Sequence, residues 1–106
     1  MNDREFNTLA DAALKRVEGA LERSGTDLDY AMVSDGVLEI ECSDGSKIIV
    51  NRHDAAQEIW VAARTGGFHY RWDGSCWQDT RHHEELMAAL SRIVSQQAGE
   101  TISLVG

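Results

Sequence analysis

The sequence contains no proline. That excludes a cis-prolyl turn and a proline-rich linker. Cysteine is nearly absent: Cys42 and Cys76 stand far apart, with no CxxC or CxxH partner. This argues against a zinc module or a disulfide framework and makes a reducing cytosol the expected location. No apolar run approaches the roughly 20 residues of a membrane span, so no membrane association is expected. The opening MNDREF leads straight into a charged helix and does not resemble a signal peptide. Bases are scarce, 10 Lys and Arg against 18 Asp and Glu, for a net charge of −8. The imbalance is concentrated early, with 11 acids and 4 bases through Asp44. Such a chain repels phosphate backbones, which argues against nucleic acid as a partner and favours cations or basic protein surfaces.

What is present suits one small domain, residues 1–106. A chain of this length buries roughly 60–70% of its unfolded surface, enough for one core without staples. Phe6, Leu9, Ala10, Ala13, Leu14, Val17, Ala20 and Leu21 recur at i, i+3, i+4 and i+7 and predict a helix from about Asp3 to Arg23, ended by Gly25. Asp3 and Glu5 suit its N-terminal dipole. Alternating strands follow around Leu28–Val33 and Val37–Cys42, joined by an Asp35-Gly36 turn. Asp44-Gly45 turns into Lys47–Arg52, and Glu58–Arg64 is extended. Gly66-Gly67 turns into Phe68–Trp72, and Asp73-Gly74 turns into a short strand at Cys76–Gln78. A second helix is expected from Arg81 or His82, with Thr80 as N-cap, Glu84 and Glu85 in its first turns, and Leu86, Met87, Leu90, Ile93 and Val94 as its buried stripe. Gly99 closes it, and the tail Thr101–Val105 covers the end of the core. Two helical stripes need one sheet face. The predicted class is therefore α+β, a two-layer α/β sandwich with both helices on one face of a five- to six-stranded antiparallel meander.

On the first helix Asp3, Asn7, Asp11, Lys15, Glu18 and Glu22 recur every three or four residues and form one stripe opposite the core face. Asp27 and Asp29 extend it onto the first strand. Oxygen-rich clusters suit hard cations, and iron accepts carboxylates. Asp3, Asp11, Glu18, Glu22, Asp27 and Asp29 are therefore candidate metal ligands for a shallow, weak, water-completed site. The alternative is a solvated helix face. Lys15, Arg16 and Arg23 dilute the patch, but steering of a partner tolerates dilution better than a metal site does, because a field of several charges needs no exact geometry.

The exposed side of the sheet carries the second feature. With Ile48, Val50, Ile59 and Val61 turned inward, Lys47, Ile49, Asn51, Trp60, Ala62 and Arg64 face water. An exposed indole points to a docking surface, or else to a surface Trp packed under Arg64 or Arg52 as a cation–π pair. Trp72 shares parity with Phe68 and Tyr70 and is expected in the core; Trp77 is open between core and surface. His82 and His83 are adjacent and diverge, so they do not chelate as a pair, while His69 is the best single ligand candidate among the histidines. Cys42 reads as a small core residue and Cys76 as partly exposed. No Ser–His–Asp order, phosphate loop or nucleophile elbow is present, and the chain is expected not to be an enzyme.

MNDREF, LADAAL, DGVLEIECSDGSKIIVNR, IWVAARTGGFHYRWDG and the late QQAGETIS together resemble the frataxin family, most closely its bacterial CyaY-type members, over nearly the whole chain. The family's fold agrees with the one predicted above. The resemblance implies an iron-binding accessory protein of iron–sulfur cluster assembly that docks on the cysteine desulfurase and scaffold complex and modulates cluster formation. The alternative is an iron chaperone or weak ferroxidase. It further implies Asn51 and Trp60 as partner contacts, with Glu58 at a position often held by Gln; the acidic stripe adds Glu18 and Glu22 to that set, and the outward face of the strand adds Arg64. The expected state is a monomer, with iron-driven oligomerisation left open. The chain departs from its bacterial relatives at Asn7, where a His is frequent, at Gly19, where an acid is frequent, and in the acid-poor loop Ser24-Gly25-Thr26. These departures weaken the metal inference more than the docking one.

Overall fold

Asn2 begins the first helix by accepting a hydrogen bond from the Glu5 backbone N–H at 2.8 Å. In the computed structural model, which describes residues 1–105, α1 spans Asp3–Arg23. Its buried face is Phe6, Ala10, Ala13, Leu14, Val17, Ala20 and Leu21, the predicted stripe apart from Leu9, which is half-buried. Six strands follow: β1 Asp29–Ser34, β2 Val37–Glu41, β3 Lys47–His53, β4 Glu58–Ala63, β5 Gly66–Trp72 and β6 Trp77–Asp79, and then α2 Leu86–Ala98. They form one sheet in the order β1-β2-β3-β4-β5-β6, each pair antiparallel. The predicted meander is correct, with six strands.

Period-2 alternation sends Leu38, Ile40, Ile48, Val50, Ile59, Val61 and Tyr70 into the core beneath the helices, each at most 1% exposed. Leu86, Leu90 and Ile93 of α2 meet them from the other side. Each such side chain contributes roughly 1.5–3 kcal/mol on burial. Cys42 is buried with them and Trp77 packs edge-on against Phe6 with centroids 6.0 Å apart. Trp72 and Phe68 are only half-buried at the margin of this cluster, where Trp72 meets the edge of Trp77 at 5.6 Å. The tail behaves as expected: Ile102 and Leu104 are buried, and their backbone N–H groups each donate at 2.8 Å, to the hydroxyls of Ser95 and Ser91 respectively.

Three boundaries differ from prediction. The β4–β5 turn is Arg64-Thr65, and Gly66-Gly67 lie inside β5 opposite Ala63 and Ala62. The second helix starts at Leu86, four or five residues late, and its N-cap is Glu85, whose carboxylate accepts from the N–H groups of Met87 and Ala88 at 2.8 and 3.2 Å. Thr80 caps nothing. Instead the buried Asp79 carboxylate accepts from the backbone N–H groups of Arg81 and His82, at 2.6 and 3.0 Å, and fixes a turn there. His83 then adopts a left-handed φ of 60°, which a continuing helix does not permit. β6 is likewise displaced by one residue, to Trp77–Asp79.

Candidate functional site

The acidic stripe forms, but its members do different work. Arg52, on β3, reaches under α1 and binds three carboxylates: Asp11 at 2.6 Å, Asp54 at 2.8 Å and Asp35 at 3.1 Å. Burial pushes this guanidinium down, yet the hydrogen bonds to Asp11 and Asp35 more than offset that and hold its charge well above the ordinary arginine range. Asp11 is thus committed to fastening α1 to the β1–β2 turn, which corrects its reading as a free ligand. Asp3 accepts from the Gln57 side chain at 3.3 Å. Glu18, Glu22, Asp27 and Asp29 have no ion-pair partner among the described residues.

The six proposed metal ligands are not gathered into one site. Among the described residues no three Asp, Glu, His or Cys side chains stand close enough to hold one ion. The reason is helical rise: Asp3 and Glu22 are separated by about 28 Å along α1. Glu18 and Glu22, one turn apart, leave room for a weak contact between a hard cation and two carboxylates, completed by water. What the stripe supplies without further geometry is a local negative field.

The open face of the sheet is more ordered than the sequence suggests. Strand register sets Asn51 opposite Trp60 and Trp60 opposite His69. The indole lies flat between two imidazoles, that of His53 at 3.6 Å with a 14° tilt and that of His69 at 4.5 Å with a 9° tilt. Its Nε1–H donates to Glu58 Oε1 at 2.8 Å. Glu58, only 6% exposed, also accepts from Arg71 at 2.7 Å and lies 3.5 Å from His69 Nδ1. Burial raises the affinity of Glu58 for a proton, but the bonds from Trp60 and Arg71 outweigh it and hold the carboxyl below its ordinary value. His53 Nδ1 accepts from the Ala56 N–H at 3.2 Å, which places the proton of the neutral ring on Nε2.

Of the predicted partner residues, Asn51, Glu58 and Trp60 therefore form one cluster, while Arg64 does not join it. Arg64 sits in the β4–β5 turn and bonds Asp44, and its backbone N–H donates to Gln97 Oε1 at 2.9 Å. Neither Arg64 nor Arg52 stacks on the indole, because both are held by carboxylates. The histidines take that place, and Arg71 is the cation of the cluster. Glu58 points inward along the sheet surface as a positioning group for Trp60 and is not a free contact. Sequence alternation marks His69 as outward-facing, but its stacking, and that of His53, depends on register.

Two helices on one face of a six-stranded antiparallel sheet, with the other face uncovered, define a frataxin-like architecture. A family model described as the frataxin-like domain matches residues 1–100, and the chain belongs to the frataxin family. A relative in Dechloromonas aromatica (strain RCB), named iron-sulfur cluster assembly protein CyaY, is 62% identical over 104 residues, covering 98% of this chain and 99% of its own. A protein of the same name in Cupriavidus metallidurans is 50% identical over 107 residues, covering 98% of this chain and 96% of its own. The solved frataxin of Psychromonas ingrahamii superposes with a TM-score of 0.91 at 33% identity and full coverage of both chains. Among the described residues no helix is long and apolar enough to cross a membrane.

Proposed function

We propose that this protein is a cytoplasmic accessory factor of iron–sulfur cluster assembly, which docks on the cysteine desulfurase and scaffold complex and modulates the rate of cluster formation. The relatives' shared name supports the pathway. The observation that carries the docking step is the pairing of two surfaces: unpaired carboxylates at Glu18, Glu22, Asp27 and Asp29, and an indole fixed on a bare sheet by Glu58, His53 and His69. The first steers a basic partner through its field, and the second is an aromatic anchor whose orientation is set before contact. In this reading the protein catalyses no step, and iron, where it is bound, is cargo or signal at surface carboxylates. Storage or delivery is the less favoured reading, because the carboxylates come in pairs and not in closed sets.

Charge reversal tests this. Glu18→Lys with Glu22→Lys is expected to slow association with purified desulfurase about tenfold at low salt and to flatten its salt dependence. Equal association of mutant and parent at low ionic strength removes the steering step. Titration with ferrous ion, followed by amide shifts on α1, separates the two readings. Saturation only at high metal supports the docking factor, and tight stoichiometric uptake supports storage.

A further inference from the structure

The sheet has two edges, and the chain treats them differently. β6 is three residues long, and the polypeptide folds back across it: Gln78 bridges to Glu85, and the Asp79 N–H donates to the Glu84 carbonyl at 2.8 Å. β1 has six residues, Asp-Tyr-Ala-Met-Val-Ser, and pairs only with β2. It has no proline and no lysine, two devices that commonly blunt an exposed edge; its one irregularity is a register shift between Met32 and Ser34. Away from the chain ends, Met32 and Val33 are the exposed large apolar residues, at 42% and 53%. On the helix side of this edge runs a groove of about 240 Å³ between α1 and β1, lined by Leu14, Lys15, Glu18, Met32 and Asp35.

We propose that β1 is a strand-addition site for an extended, cation-bearing segment of the basic partner. A strand added there lies about 4.8 Å beyond β1 and pairs with its outward N–H and C=O groups. Side chains of one parity enter the groove, where an aliphatic stem covers Met32 and its cationic end meets Glu18. Those of the other parity lie beside Asp29 and Val33 on the open side. The charge of the surroundings selects the occupant. A second copy of this chain brings its own Asp27, Asp29 and Asp35 to an edge that already carries the same three acids, and like charges brought together across a strand pair are destabilising. A segment alternating Lys or Arg with Val or Thr satisfies both the backbone and the carboxylates. The inference rests on the docking reading for the identity of the partner, and it adds how the contact is made.

The test uses the wild-type protein, hydrogen exchange and two peptides. One is acetyl-Lys-Val-Lys-Thr-Lys-Val-Lys-amide; the other is the same peptide N-methylated at alternate residues, which keeps the charge and removes the donors. The first is expected to bind about tenfold more tightly than the second and to slow exchange at alternate amides of β1. Equal binding by both peptides, or binding by neither, overturns the proposal while leaving the docking reading intact. A purified cysteine desulfurase that binds at saturation yet leaves every β1 amide exchanging at its free rate also overturns it. Failure of the desulfurase to bind removes the docking reading instead, and the peptides then decide the strand-addition question by themselves.

Discussion

Glu58 holds Trp60 by its indole N–H at 2.8 Å, from a position two residues earlier on the same strand and the same face. The carboxylate is buried, and its other oxygen takes Arg71 at 2.7 Å. The indole is thus oriented by a charge whose other partner, Arg71, lies on the next strand. Orientation fixed before binding lowers the entropy lost on association.

Removing that charge separates orientation from packing. Glu58→Ala leaves the indole N–H and the Arg71 guanidinium without their acceptor and is expected to cost about 2 kcal/mol. Glu58→Gln keeps one acceptor oxygen for Trp60 and is expected to cost about half as much. Urea unfolding gives both numbers, and affinity for the desulfurase is expected to fall in the same order. An Ala variant as stable as the parent shows that the network does not orient the ring.

Acid titration follows from the same group. Glu58 and Asp79 both have carboxyls held below their ordinary values. Burial opposes this in each, but it is outweighed at Glu58 by Trp60 and Arg71, and at Asp79 by the Arg81 and His82 N–H groups. A depressed folded value means the stabilisation is complete above the unfolded carboxyl values of about 3.9 to 4.3 and is lost as pH falls through the folded ones. Stability should therefore be flat from these two groups near neutrality and drop in acid. Glu58→Gln should shallow that drop. Measuring the urea midpoint from pH 7 to pH 3 for both proteins checks the sign, and parallel curves reject it.

Arg52 offers a contrast between stability and association. Its side chain is 11% exposed, while its three carboxylate partners are 47% to 90% exposed. Water screening keeps each pair to well under 1 kcal/mol, and the network of three to about 1–2 kcal/mol. Arg52→Gln is expected to lower stability by that amount. It also frees Asp11, Asp35 and Asp54 and removes one positive charge, so association with a basic partner should become faster at low salt. A variant that is both destabilised and slower to associate contradicts the steering argument.

The parts legible in the sequence were those governed by period. The α1 stripe apart from Leu9, the β2–β4 alternation and the Gly36 and Gly99 positions each report on one element or one turn, and these are as expected. What lay beyond it was decided by side chains reaching out of their own element. The α2 boundary moved because the buried Asp79 carboxylate captures the N–H groups that a helix would otherwise have used. Asp11 reads in sequence as a candidate metal ligand because its partner, Arg52, is 41 residues away. His53 and His69 flank Trp60 only because of strand register, which alternation narrows to a face but not to a position.

Tyr70 supplies the last test. Its ring is fully buried, and its hydroxyl has no hydrogen-bond partner in the described structure. Burial, aided by the nearby carboxylate of Asp79, pushes the phenol far above its ordinary range, so it stays neutral at any pH the fold tolerates. A buried hydroxyl without a partner costs roughly 1–3 kcal/mol, and deleting the oxygen alone leaves the ring packing in place. Tyr70→Phe should therefore raise stability by about 1 kcal/mol, with the open face of the sheet untouched, because the residue points to the helices and Trp60 to the open side. Urea unfolding and desulfurase affinity, measured on the same preparation, decide it. A loss of stability means that the hydroxyl contributes to the fold and overturns the prediction.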